Sequence, residues 1–343
     1  MENLAVAVET YSRGGAVLMP LLLLCALLLA VTGLGNLFGR RPLLPRWSFW
    51  LLLATAGLML LGFLGMIWFH WQIAQHAVLE LPEQLAAMLN QQLAAMNRGA
   101  AYGIPLYDPQ SPPRYLIPPW IEYQRYYFWF FCFALMAVLA HRRLENHRFR
   151  GSLYLLLAAQ LVVLYFLADP FREPLPRFFA EITPWFTAPS AWEQLGMFMR
   201  LYPRLEFYYT ASYMWFHPPL LFISYACITI FFAVSLLMLI RRELEVEKVG
   251  YDYAKFGYFL LTLGMLLGYP WALKAWGPNW WWDPKVSSSI MLWAIFSTYL
   301  HTRLYANKKG MWYFSAALGL LCFVAMIFTF VASYIFPGEH SLM

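Results

Sequence analysis

The chain is 343 residues long, 61% apolar and 19% aromatic, with only 12% of its residues charged. A soluble domain carries about 25% charged residues, so the composition argues against a soluble enzyme, a disordered chain or a nucleic-acid-binding domain and for a polytopic membrane protein. The four cysteines, Cys25, Cys132, Cys227 and Cys322, lie inside apolar runs and form no CxxC, which argues against a disulfide framework, a zinc ribbon or a thiol redox motif.

A bilayer-spanning helix needs about 20 mostly apolar residues. In chain order the sequence predicts an all-α fold of eight spans, at roughly 15–38, 48–70, 122–141, 152–168, 219–240, 256–273, 286–303 and 312–335. The first span has no basic region before it and is too long for a signal core, so no cleavable signal is expected. The turns after spans one, three, five and seven hold 14 of the 24 Lys and Arg and five of the 18 acids, from Arg40 and Arg41 to Lys308 and Lys309. That side therefore carries +9 and the other −3, and by the positive-inside rule the +9 side is cytoplasmic, with both termini outside. The net charge of +6 is then a topogenic signal, and no nucleic acid is implied. Two long external loops follow, 71–121 and 169–218. Residues 84–97 show helical spacing of Leu, Ala and Met, which predicts an amphipathic helix on the outer membrane lipid surface. Three regions are expected: 1–121, 122–218, and a core over 219–343.

The end of span six and the short external loop after it, 274–285, hold Trp271, Trp276, Trp280, Trp281 and Trp282, five tryptophans in twelve residues, followed by Asp283, Pro284 and Lys285. An interfacial aromatic belt explains one or two tryptophans per helix end. A cluster this dense fits better a platform for a flat, apolar, polarizable ligand, with Lys285 placed to meet a carboxylate at its rim. Trp276-Gly277-Pro278-Asn279-Trp280-Trp281-Trp282-Asp283 resembles the WGxxWxWD signature of the haem-handling protein family. The flanking Trp271–Gly277, Trp282–Lys285 and Tyr299–Arg303 segments look like its CcsA (ResC-type) branch, from system II cytochrome c biogenesis. The resemblance is strong over about 250–305 and weaker through 213–343, and residues 1–210 carry no matching motif. It departs from the family at Val286, where an acidic residue is usual, and at Ser287-Ser288-Ser289.

The resemblance implies haem b as cofactor and names its ligands. His217 matches the first external histidine of such proteins, and His340 resembles the C-terminal element that carries the second. Both fall on the side to which the charge count assigns the tryptophans, and two imidazoles facing across a plane are an axial pair for a b-type haem. His301, near the cytoplasmic end of span seven, matches a transmembrane histidine that binds haem in transit with a histidine of the partner CcsB. His141 lies at a similar depth and is a further candidate ligand there. His70 and His76 sit at the outer end of span two, and His147 lies in a charged turn. Trp276, Trp280 and Trp282 are expected to stack on the ring, with Asp283 and Lys285 fixing the loop. The implied activity is part of a holocytochrome c synthase. With a CcsB-like protein, the chain would present haem at the outer face of a bacterial cytoplasmic membrane, for attachment to the CxxCH of an apocytochrome c kept reduced by a thiol-reducing protein. A quinol-linked haem b electron-transfer subunit is the main alternative.

Overall fold

The computed structural model describes residues 2–39, 45–98, 103–305 and 308–337. Among these every regular element is helical, apart from one isolated bridge between Val78 and Arg114. Eight helices lie where the sequence puts spans: α1 (Glu2–Phe38), α2 (Pro45–His76), α4 (Gln124–Arg143), α5 (His147–Leu167), α8 (Tyr213–Ile240), α9 (Leu244–Trp276), α10 (Pro284–Thr302) and α11 (Lys309–Ile335). Six of them, α1, α2, α5, α8, α9 and α11, are long and apolar enough to cross a membrane. α4 and α10 fall short by that measure. The first carries charge at both ends, in Arg125 and in Arg142 and Arg143, and the second begins on Lys285 and a run of serines.

α1 packs on α2 and α5, and α2 on α4; α4 in turn lies on α8, which also packs against α9 and α11. The apolar window of α8 is 67% buried, the largest share of any of the six, so this helix is the axis on which the site is built. Its seam with α9 depends on glycine. A Cβ on Gly257 would fall 2.8 Å from the Cys227 Cβ, and one on Gly264 2.8 Å from Leu221. Small residues at such spacing let helix backbones approach closely where the hydrophobic effect gives no drive.

The long loops fold into a helical cap. α3 (Glu83–Met96), α6 (Pro176–Thr187), α7 (Ala191–Arg204) and a π turn at Leu205–Tyr209 make it up. The helix expected over 84–97 is present, but it does not lie on a lipid surface. Leu85, Ala86, Leu89 and Leu93 are buried within the protein, and α3 packs against α7. Its apolar face is therefore spent on the cap, where Trp185, Phe178 and Phe198 are fully enclosed. α7 starts with a side-chain N-cap, in which Ser190 accepts from the Glu193 amide at 3.3 Å.

At the opposite end, α4, α5, α8 and α9 meet in a charged layer. Arg143 pairs with Asp252, Lys255 lies 2.9 Å from the same carboxylate, and the Asn146 amide donates to Glu243 at 2.6 Å. Glu247 and Arg303, which the sequence counts among the charges of the basic turns, are buried and paired with each other. One acid and one base leave the count together, so the +9 is unaltered.

Candidate functional site

The starts of α4, α8 and α10 converge with the ends of α9 and α11 around a cavity of about 410 Å³. That is within the usual range for small-molecule sites. His217 lines it from the first turns of α8. Its Nδ1–H donates to the Gly264 carbonyl at 2.7 Å. A carbonyl only accepts, so the proton is fixed on Nδ1 and the neutral ring keeps its lone pair on Nε2. The ring lies against Gly268, one turn further along α9, where a Cβ would come within 2.6 Å of Cε1 and Nδ1.

The α8 turn is held from outside the helix. Pro218 has no N–H, so the Met214 carbonyl loses its helical donor. The Trp120 indole N–H donates to that carbonyl at 2.6 Å. α9 is held in a similar way, since the Trp271 indole N–H donates to the Phe207 carbonyl of the π turn at 2.7 Å.

The tryptophan loop is a tight reversal. Gly277 ends α9 at φ 74°, a left-handed conformation that a Cβ disfavours. A 3₁₀ turn, Gly277–Trp282, follows, and Asp283 caps α10 by accepting from the amides of Lys285 at 2.9 Å and Val286 at 3.3 Å. The loop-fixing role expected for Asp283 is thus an N-cap, with Pro284 at the first helical position. Asp283→Ala should cost about 1–2 kcal/mol of stability and Asp283→Asn much less, as read from thermal unfolding in detergent.

The tryptophans divide. Trp280 lines the cavity, edge-on to Tyr269 at 5.1 Å. Trp281 and Trp282 stack on each other at 4.2 Å and are exposed, so Trp282 does not line it. The Trp276 side chain and His340 lie outside the described residues. Lys285 lines the cavity with His217. His301 is exposed on α10, its Nδ1 2.8 Å from the Ser297 carbonyl. His141 is buried between Phe49 of α2 and Tyr154 of α5. α10 packs on α9 and α11, so His141 and His301 are not brought together. His70 is bonded within the protein, to the Ile117 carbonyl at 2.9 Å and to Gln124 at 2.5 Å.

Residues 120–338 match the cytochrome c assembly protein family. The chain belongs to that family. Its similar relatives include proteins named cytochrome c biogenesis protein CcsA. That of Cyanidium caldarium is 42% identical over 84 residues, 23% of this chain and 28% of the relative. That of Cyanophora paradoxa is 40% identical over 74 residues, 22% and 23%. That of Chlamydomonas reinhardtii is 30% identical over 138 residues, 36% and 37%. The matched segments thus span well under half of each relative. No solved structure matches. Membership supports a role in cytochrome c biogenesis and, in general terms, in handling haem.

The family match begins at residue 120, about a hundred residues before the motif-based resemblance, and the geometry gives a reason. Trp120, Glu122 and Arg125, at the entry to α4, all line the cavity. None was legible as a site residue. The one local signal is the strain at Glu122, a non-glycine residue at φ 44°, and strain of this kind clusters at functional sites. Its carboxylate accepts from the amides of Arg177 at 3.2 Å and Phe178 at 3.0 Å, capping α6, whose own cap position offers no side-chain acceptor. In the cap, burial raises the carboxyls of Glu181 and Glu206 above their ordinary value. Arg204 and Tyr209 oppose this at the first, and Lys274 at the second.

Proposed function

We propose that this chain binds haem b in the cavity beneath the tryptophan loop and, with a CcsB-like partner, presents it for covalent attachment to the CxxCH of an apocytochrome c. The observation that carries the reading is the imidazole of His217, oriented by the Gly264 carbonyl with Nε2 unprotonated at the edge of the cavity. Ligating histidines are commonly oriented by such a bond, which also raises their basicity. The lining suits a tetrapyrrole, since it includes the aromatic rings of Trp271, Trp280, Phe222 and Phe330. Haem, when bound, supplies the iron and the vinyl groups that take up the cysteine thiols. The chain's part is binding and orientation: His217 and His340 would ligate the iron, and Lys285 would stay at the rim.

In this reading the chain spans the membrane eight times, α4 and α10 included, with the +9 face cytoplasmic and both termini outside. The membrane is a bacterial cytoplasmic membrane, and a separate thiol-reducing protein keeps the apocytochrome competent, since the four cysteines are buried. His301, exposed on α10, is open to a ligand from a partner subunit. His141 has no such access.

The test is haem content after purification from membranes, alone and with a CcsB-like partner, by pyridine haemochrome. His217→Ala and His340→Ala should each deplete haem severalfold, with imidazole restoring the first. Full occupancy in both variants would remove the site from the reading. Cytochrome c maturation that proceeds without the chain would favour the electron-transfer alternative.

A further inference from the structure

The cavity has a polar end that axial ligation does not use. Arg125, Arg177 and Lys285 line it, and Glu122 is the one carboxylate among its described lining residues. Both Glu122 oxygens are engaged by backbone amides of α6. Among the described residues, none of the three cations forms an ion pair. Arg125 donates only to phenol oxygens, to Tyr334 at 2.7 Å and Tyr126 at 3.3 Å, and its Nε is buried without a partner. With Asp283 beside Lys285 counted, three cations face two carboxylates that backbone amides already engage, an excess of about one positive charge; Arg177 is exposed, so the cost of burial without an ion pair falls on Arg125 and Lys285. The remaining wall, at Leu221, Phe222, Met265 and Phe330, is apolar. The complementary ligand is a flat apolar body with two carboxylates on one edge.

Resting on the reading above, we propose that Arg125 and Lys285, with Arg177, form an anion subsite that takes the two carboxylates of the porphyrin and so fixes its rotation within the cavity. A protoporphyrin carries its carboxylates on one edge and its vinyls away from that edge. Anchoring the first therefore sets where the second lie, a matter that axial ligands leave free because they constrain only the axis through the iron. Arginine suits the task through its fork of donors, and lysine as a point charge at the rim.

The test removes the iron. Metal-free protoporphyrin IX and its dimethyl ester are titrated into the detergent-solubilised protein, and binding is read from quenching of tryptophan fluorescence. The diacid should bind about ten-fold tighter than the ester or more, the yield of one charge-assisted hydrogen bond. Arg125→Gln and Lys285→Gln should each remove most of that preference while leaving ester affinity unchanged, which also reports that the cavity is intact. Lys285→Arg should retain it, and so should His217→Ala, because no iron is present. Equal affinity for diacid and ester in a wild-type protein that still takes up haem through His217 would overturn the subsite alone. Failure to bind any porphyrin would overturn it together with the haem site.

Discussion

Gly268→Ala is expected to cost the protein the haem proposed for the cavity without altering a proposed iron ligand. The added Cβ falls 2.6 Å from two atoms of the His217 ring, a distance that van der Waals contact forbids. The ring is stiff, and its hydrogen bond to Gly264 must break for it to move aside. Overpacking of this kind costs about 1–3 kcal/mol, and with His217 as the proposed ligand its displacement should lower haem occupancy severalfold, as would its removal. Two comparisons isolate the cause. Gly65→Ala in α2, where an added Cβ meets nothing within 4 Å, should be neutral or slightly stabilising, as expected for alanine in a helix. In a His217→Ala background the stability cost of Gly268→Ala should vanish, because the two side chains compete for one space. Haemochrome content and thermal unfolding of the four proteins decide the matter, and a Gly268→Ala protein with full haem would show that the ring is not held as described.

The second large effect lies at the opposite end of the bundle. Arg303 and Glu247 have side chains 4% and 9% exposed and are paired with each other, and the guanidinium lies over Tyr251 at 5.8 Å and Trp312 at 6.0 Å. Removing one member of a buried pair strands the other charge, at about 3–5 kcal/mol, whereas replacing both with apolar residues of similar size is often neutral. Glu247→Ala should therefore lower the unfolding temperature in detergent steeply. Glu247→Leu combined with Arg303→Met should recover most of the loss. A double variant no more stable than the single one would mean that the pair itself, and not the orphaned charge, carries the stability.

Helix positions could be read from the sequence because apolar runs of this length leave a chain few alternatives in lipid. The eight runs all became helices, though several extend well past their apolar part. α1 begins at Glu2 and not near residue 15, and α9 at Leu244 and not near 256, since helix formation does not stop where apolarity does. The cap was not legible in the same way. α6 and α7 contain Pro184 and Pro203, and their apolar faces are aromatic, so the stretch reads as loop until a partner surface is present to bury it. Of the cavity-lining residues, His217 could be named because it matches an external histidine of the resembled family and Lys285 because it adjoins a recognisable motif. Arg125 and Trp120 could not, because they lie about 150 residues before it and reach the cavity only through the packing of α4 on α8. The outward stack of Trp281 on Trp282 was equally hidden, since a motif names residue types and does not say which way each ring turns.

The turn that bears His217 is not a rod. With Pro218 and Pro219 in succession, two amide donors are missing there, and at Met214 the vacated acceptor is taken up by an indole belonging to the segment before α4. That segment is continuous with the stretch from 103 that runs beneath the cap, where Tyr107 is pinned to Leu79 and Leu81 and to Asn90 of α3. Through Tyr107, Trp120 and Met214 the stretch between α3 and α4 is thus tied by hydrogen bonds to the turn that bears the imidazole, at the place where that helix lacks its own donor.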